Sequence, residues 1–401
     1  MSEVPGRLGS MEPKLTPGRL LRLALWLVRG ISSRSIEGLL ASHPSYDAAA
    51  EADRADLASA MGLRPSAARR LLDAPDDLLG WARGVAEDLH ARGGRLSMRG
   101  DPDAPDFGPL RDPPEVLFLR GSRGEAGGAP DGGRAVAVVG SRKAHPAALR
   151  LARRIGFSVA REGLTVVSGG AFGVDAEAHR GALDVGGHTL AVLGSGVLLP
   201  LPRQNRRLFG EILEAGGGLA SELPPRESAR PEFFPRRNRL VAALSRAVVV
   251  VRASVTSGSL HTARAALELG RPVYVFPSWD ESNAGARILL SEGAIAVEDE
   301  ADLLDRLRGG NGRRGGAEGE VDRVLEALDG PPVTVAELSF RLGMEQGRVA
   351  AIVARLCRQG RAGFSGPGRF AARGPGRADH GLRRFSGGAA PAEAPSAGEA
   401  R

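Results

Sequence analysis

The chain is short of the residues that most often build disulfides, metal sites and membrane anchors. Its one cysteine, Cys357, among 401 residues excludes an intramolecular disulfide and a cysteine zinc site, and fits a reducing cytoplasm. The seven histidines form no metal-spaced cluster, so no metal is expected. No apolar run is long enough to span a membrane: Leu20–Val28 is too short and Arg22 interrupts it. The N-terminus is expected to carry no secretory signal. Lysine is almost missing, with only Lys14 and Lys143, so the positive charge is nearly all arginine.

The formal charge is +7 and the pI about 10.6, which points to a polyanionic partner. An arginine-, alanine- and glycine-rich composition inflates such totals, so the local placement of arginine carries more weight. At this length, with 42% hydrophobic residues, the chain holds two or three domains with real cores.

The informative stretch is Ala135–Ser168. Ala135–Val139 is a β-branched run suited to a strand buried on both faces, ending in Gly140-Ser141-Arg142-Lys143. Helical spacing follows, then a second buried strand, Leu164–Ser168. The same order of strand, small-residue loop and helix recurs. Further strands are expected at Val116–Arg120, His188–Leu193, Gly218–Ser221, Ala247–Val251 and Pro272–Phe276. This predicts an α/β domain over 114–307 with a doubly wound parallel sheet. Ahead of it, 1–97 reads as a flexible leader and a small N-terminal helical domain. Its turns at Val28–Ser32 and Met61–Leu63 suit either a phosphate-holding helix-hairpin-helix or a plain packing module, and packing is the simpler reading. Beyond it, 308–319 is a Gly/Arg linker. Three helices and a hairpin over 320–373 predict a C-terminal winged-helix domain, with Arg348, Arg355 and Arg358 on the third helix as secondary DNA or partner contacts. The Ala/Pro/Gly-rich 374–401 is expected to be disordered.

The familiar catalytic motifs fail. Neither lysine sits in a Walker A context, the first turn lacks a second glycine for dinucleotide binding, and there is no G-x-S-x-G elbow. Asp175 and His179, four apart, read as an N-cap carboxylate beside a packed histidine. What emerges is a row of cations at strand ends: Arg142 and Lys143, Arg203, then Arg236, Arg237 and Arg239 ahead of a helix expected at Leu240–Leu244. Arginines interleaved with hydroxyls and glycine amides suit a phosphodiester backbone, and Phe172, Phe233 and Phe234 offer stacking faces.

Several of these segments, in this order, resemble the DNA-processing protein DprA (Smf) family over roughly 112–305. They are Val138-Val139-Gly140-Ser141-Arg142, the run SGGAFGVD from Ser168 to Asp175 with Ala178-His179, Gly181-Ala182-Leu183, Phe234-Pro235-Arg236-Arg237-Asn238-Arg239, Ser257-Gly258-Ser259-Leu260 with Thr262-Ala263, and Gly270-Arg271-Pro272. The resemblance implies a Rossmann-like fold and a cytoplasmic, non-catalytic mediator that uses no cofactor, expected to be a homodimer. Such a protein binds single-stranded DNA, protects incoming DNA and loads the RecA recombinase in natural transformation. It makes Arg142 and Arg203 the main DNA cations, supported by Arg236, Arg237, Asn238 and Arg239. Gly140, Ser141, Lys143, Ser168, Gly169, Gly170, Asn205, Ser257, Gly258 and Ser259 complete the implied surface. The chain departs from the family pattern at Arg252, where a glutamate is usual, at Phe172, where an arginine is usual, and at Ser278; these suit a diverged paralogue as well as an active mediator. The alternative function is a nucleotide-binding enzyme or sensor acting on nucleoside monophosphates. Such enzymes carry P-G-G-x-G-T-x-x-E, which Ser257-Gly258-Ser259 does not match.

Overall fold

Five consecutive buried residues, Ala135–Val139, have no polar side to show to water, so their strand lies inside a sheet with helices on both faces. The computed structural model describes residues 14–121, 133–277, 283–309, 317–342, 344, 346–358, 361–366 and 369–372. The linker 310–316, the residues 122–132 of the glycine-rich loop, 278–282, the wing tip 367–368 and the tail 373–401 lie outside them. So do the side chains of Arg348, Arg355 and Arg358.

In chain order the first unit has helices α1 (Pro17–Leu27), α2 (Ser33–Gly38), α3 (Tyr46–Ala49), α4 (Arg54–Ala60), α5 (Pro65–Leu72) and α6 (Leu78–Ala91). Strands β1 (Gly94–Met98), β2 (Val116–Gly121) and β3 (Ala135–Val139) follow. Then come α7 (Pro146–Arg161), β4 (Thr165–Ser168), α8 (Val174–Asp184), β5 (Thr189–Val192), α9 (Arg206–Glu214), β6 (Gly218–Ser221), α10 (Phe233–Ala243), β7 (Ala247–Val250), α11 (Ser259–Glu268), β8 (Val273–Val275), α12 (Ala284–Ser291), β9 (Ile295–Ala296) and α13 (Glu300–Leu307). The sheet order is β1-β2-β6-β5-β4-β3-β7-β8-β9. From β6 to β9 all neighbours are parallel; β1 with β2 and β2 with β6 are antiparallel. The chain winds outward from β3 through β6, then returns to lay β7 against the other side of β3. Order therefore reverses between β3 and β7. Loops leaving these two strands diverge to opposite faces and open a crevice at their carboxyl ends.

Two expectations are corrected. The N-terminal helices do not stand apart as a domain of their own. Leu20, Leu23 and Trp26 of α1 share one hydrophobic core with Ala191, Phe209 and Leu219 of the sheet layer, and β1 follows α6 directly into the sheet. The second correction concerns α10, which starts at Phe233 rather than at Leu240. Pro235 sits in its first turn, where no intrahelical N–H bond is lost.

The second unit, Arg314–Arg401, contains α14 (Ala317–Leu328), α15 (Val335–Leu342) and α16 (Gln346–Arg358). Its three-stranded antiparallel sheet consists of β10 (Val333–Thr334), β11 (Ala362–Phe364) and β12 (Arg369–Ala372), in the order β10-β12-β11. Leu328, Leu338, Val349 and Leu356 close its own core. Thr334 and Glu337 form a reciprocal capping box: Glu337 N donates to Thr334 Oγ1 at 3.1 Å, and Thr334 N to Glu337 Oε2 at 2.8 Å.

Candidate nucleic-acid interface

The crevice between the ends of β3 and β7 is a cleft of about 540 Å³. Gly140 makes its wall possible. A Cβ there would lie 2.8 Å from Val174 Cγ2 and 2.9 Å from the Arg252 carbonyl oxygen, so only glycine lets the chain pass between α8 and the end of β7. Ser141 N donates to that same carbonyl at 2.8 Å, and the Ser141 hydroxyl accepts from Lys143 N at 3.1 Å. The turn thereby holds Arg142 and Lys143 exposed at the rim. Across the cleft, Ser257, Gly258 and Ser259 lead into α11, and Asn238 Nδ2 donates to Gly258 O at 3.1 Å, tying α10 to that turn. Arg142, Lys143, Arg237 and Arg252 line the cleft against one carboxylate, Asp175, among the described residues.

Arg237 and Asp175 are internal fittings. The Arg237 side chain is 5% exposed, and its Nη1 donates to Gly169 O at 2.6 Å and also to Val192 O. One guanidinium thus joins the ends of β4 and β5. Burial lowers its pKa to about 10, still well above neutrality. Asp175 Oδ2 accepts from Gly169 N at 3.1 Å and Ala171 N at 3.4 Å. Burial raises its pKa, opposed by neighbouring Arg237 and those amides. Asp175 lies inside the first turn of α8, with Gly173 at the N-cap, so the N-cap reading is corrected to a clamp on the SGGAF loop. His179 is fully buried. Thr189 Oγ1 donates to Val166 O at 2.8 Å, so His179 Nδ1 donates to Thr189 Oγ1 at 2.7 Å, and burial lowers its pKa to about 3.

The continuous arginine track expected from the sequence is shorter in the structure. Arg236 and Arg239 point to Glu222, a buried carboxylate that pairs with both, at 3.3 Å in the case of Arg236. Ser168 is buried and donates to Val138 O at 2.7 Å. Gly170 turns at φ +64°, and Asn205 Nδ2 donates to its carbonyl at 2.9 Å, so both shape the loop behind the cleft. Arg203 is exposed but lies outside the cleft lining. Among the described residues, neither Arg142, Lys143 nor Arg203 takes part in an ion pair. Gly140, Ser141, Arg142, Lys143, Gly169, Arg237, Asn238, Ser257, Gly258 and Ser259 do come together, and Thr256 and Thr262 join them. Thr256 stands exposed at the cleft edge, one residue ahead of the Ser257 turn, and the fold of the loop after β7 brings it there.

Arg252 is 9% exposed, with Nη1 2.6 Å from His145 Nε2. His145 caps α7 by accepting from Ala148 N at Nδ1, 3.2 Å away. A neutral imidazole has one accepting nitrogen and cannot serve both donors. Among the described residues, no group of three or more His, Cys, Asp or Glu side chains is placed to hold a metal ion, and no helix is long and apolar enough to cross a membrane.

Comparison with known proteins fits this geometry. A family model described as DNA recombination-mediator protein A matches residues 98–308. A putative DNA processing protein DprA of Mycobacterium tuberculosis is 36% identical over 342 residues, covering 77% of this chain and 85% of that protein. Protein Smf of Escherichia coli is 42% identical over 177 residues, covering 44% of this chain. The match spans about half the length of the E. coli and Synechocystis Smf proteins, 47% and 53%. Among solved structures, DNA processing protein A of Streptococcus pneumoniae is similar at a TM-score of 0.59 and 30% identity, over 73% of this chain and 98% of that one.

Proposed function

The chain belongs to the DNA recombination-mediator protein A family, and from that footing we propose that it binds single-stranded DNA at the β3/β7 crevice. In this reading it is a non-catalytic mediator, working as a homodimer in the cytoplasm, that shields incoming DNA and passes it to the RecA recombinase during transformation. The observation that carries the reading is the cleft's charge. Among the described residues, four cations line the cleft with one carboxylate, and that carboxylate already accepts two backbone N–H bonds. Arg142 and Lys143 on the rim are placed to meet successive phosphates, while hydroxyls and the start of α11 line the interior. The competing reading, hydrolysis of nucleoside monophosphates, needs a carboxylate free to attack or to orient a sugar, and Asp175 is clamped in its loop. A role for the second unit in duplex or partner contact belongs to the same proposal.

A mobility-shift comparison of single-stranded and duplex oligonucleotides, with and without added mononucleotide, tests it. Preferential single-strand binding that mononucleotides compete for weakly is expected. Release of free base from a mononucleotide, or equal affinity for duplex, would overturn it.

A further inference from the structure

The first turn of α10 presents two faces. Phe234 and Arg237 are three residues apart and share the face turned to the cleft; Phe233 and Arg236, also three apart, share the face turned to the N-terminal helices. Each face interleaves arginine with aromatic rings. On the cleft side, the Arg142 guanidinium carbon lies 5.1 Å from the centre of the Phe234 ring, and that of Arg237 lies 5.9 Å from it. On the other side, Arg29 lies 5.7 Å from the Phe233 ring and Arg236 lies 5.9 Å from the Trp26 ring.

Arg29 is held in place for this contact. It lies two residues beyond the end of α1, in a turn where Gly30 takes φ +89°, a conformation that glycine adopts without strain. Arg70 Nε donates to the Arg29 carbonyl at 2.7 Å, fixing the turn to α5. The Arg29 side chain itself is 49% exposed. It shares Glu227 with Arg230, which lies 3.6 Å from that carboxylate, and Arg236 nearby is 44% exposed. Three open guanidiniums therefore stand on this side: Arg29 and Arg230 share Glu227, with Arg29 over the partly buried Phe233 ring, and Arg236 pairs with Glu222 beside Trp26.

We propose that this arginine–aromatic layer continues the single-strand path out of the cleft, so that Arg29, Phe233 and Arg236 hold the nucleotides that follow those bound at Arg142. The inference rests on the cleft reading above. The chemistry suits an unpaired strand: Arg29 takes a phosphate in exchange for Glu227 and Arg236 in exchange for Glu222, and a flat ring flanked by cations offers a stacking surface to any base. The N-terminal helices thus contribute side chains to the strand's path as well as packing the sheet edge.

Anisotropy titrations on the full chain test this with a short oligodeoxythymidine of about four nucleotides, which the cleft alone can engage, and a longer one of about twenty. Arg29→Glu should weaken binding of the long strand about tenfold, and should flatten its salt slope by about 0.7, the share of a single phosphate on an unpaired strand. Binding of the short strand should not change. Arg29→Ala should act in the same direction to a smaller extent, and melting curves of both variants should match the parent. Arg142→Ala should weaken both lengths. No change on the long strand with Arg29→Glu, or an equal loss on both lengths, overturns the path while leaving the cleft reading intact. If Arg142→Ala changes neither length, the cleft reading fails and the path fails with it.

Discussion

At the scale of single residues, the arginines divide by what surrounds them. Arg142 is exposed at the cleft rim, and Arg203 is exposed outside the cleft lining, where the family resemblance implies a second DNA cation. Replacing both by alanine should weaken single-strand binding and reduce the salt slope by about 1.4, if each meets one phosphate, with circular dichroism unchanged. Arg237 behaves differently. Arg237→Ala would strip two strand-end carbonyls of their donor and leave Asp175 buried without its cation, at a cost of about 3–5 kcal/mol, measurable by urea denaturation. Arg237→Lys should rescue only in part: one ammonium can donate to both carbonyls, as Nη1 does, but the Nε bond to Asn238 Oδ1 at 3.1 Å is lost. At Arg252, two N–H donors meet at His145 Nε2 while His145 caps α7. Arg252→Glu supplies an acceptor there. The variant's DNA affinity should fall, most at low salt, where an unscreened charge acts furthest; an affinity unchanged at low salt would remove Arg252 from the strand surface. His179 adds a pH dependence. Its folded pKa of about 3 lies below the unfolded value of 6.5, so between those values the unfolded chain takes up a proton that the folded chain refuses. Stability at this site is complete above about pH 6.5 and is lost as pH falls, by up to about 1.4 kcal/mol per pH unit. The raised pKa of Asp175 acts with the opposite sign. The comparison is therefore best made as urea stability at pH 7 and pH 5 in the parent and in His179→Asn, where the variant should show the flatter difference.

At the scale of elements, the crevice depends on how closely α7 and α8 approach. A Cβ on Gly156 would lie 2.1 Å from Ala178 O, and one on Gly181 would lie 1.9 Å from Arg153 O. These are backbone-to-backbone contacts that no rotamer can relieve. Gly181→Val should therefore cost upward of about 1–3 kcal/mol. Because α8 carries Asp175 and α7 follows directly from the Arg142 turn, DNA affinity should fall in parallel. A fall in stability with affinity unchanged would separate the helix pair from the site. The strands β2 to β8 were legible within a residue or two, since strands buried inside the sheet, parallel from β3 onward and antiparallel at β2, show little polar alternation. The early start of α10 was not, because Phe-Phe-Pro reads as a break until the first turn is seen to need no amide from Pro235. Strand β1 escaped as well: Gly94–Met98 is short, half polar and recognisable only by its pairing with β2.

At the scale of the molecule, the chain falls into two units, with the division between Arg313 and Arg314. All the residues assigned to the strand path lie in the first. A chain ending at Arg313 should fold cooperatively and keep most of its single-strand affinity by anisotropy; complete loss with the fold intact would move the primary site to the second unit. Cutting at the other end should behave differently. Because Leu20, Leu23 and Trp26 are part of the sheet's own core, removing residues 1–97 should expose apolar surface and yield an aggregating or unfolded product.

The sequence alone determined the winding of the sheet, the glycine-lined turns and the presence of cations at the strand ends. Each of these is a local pattern: an apolar run, a small-residue loop or a charge at a fixed offset from a strand. What only the tertiary structure decided is which of those cations meet solvent. Arg236, Arg237 and Arg239 look alike in the string Pro235-Arg236-Arg237-Asn238-Arg239. Yet helical rotation sends Arg237 into the strand ends and turns Arg239 to Glu222, while leaving Arg236 half open beside Trp26. The closeness of Arg29 to Phe233 lies still further from the sequence. The two residues are brought together only because the N-terminal helices pack onto the sheet, and no local periodicity records a contact across that distance in the chain.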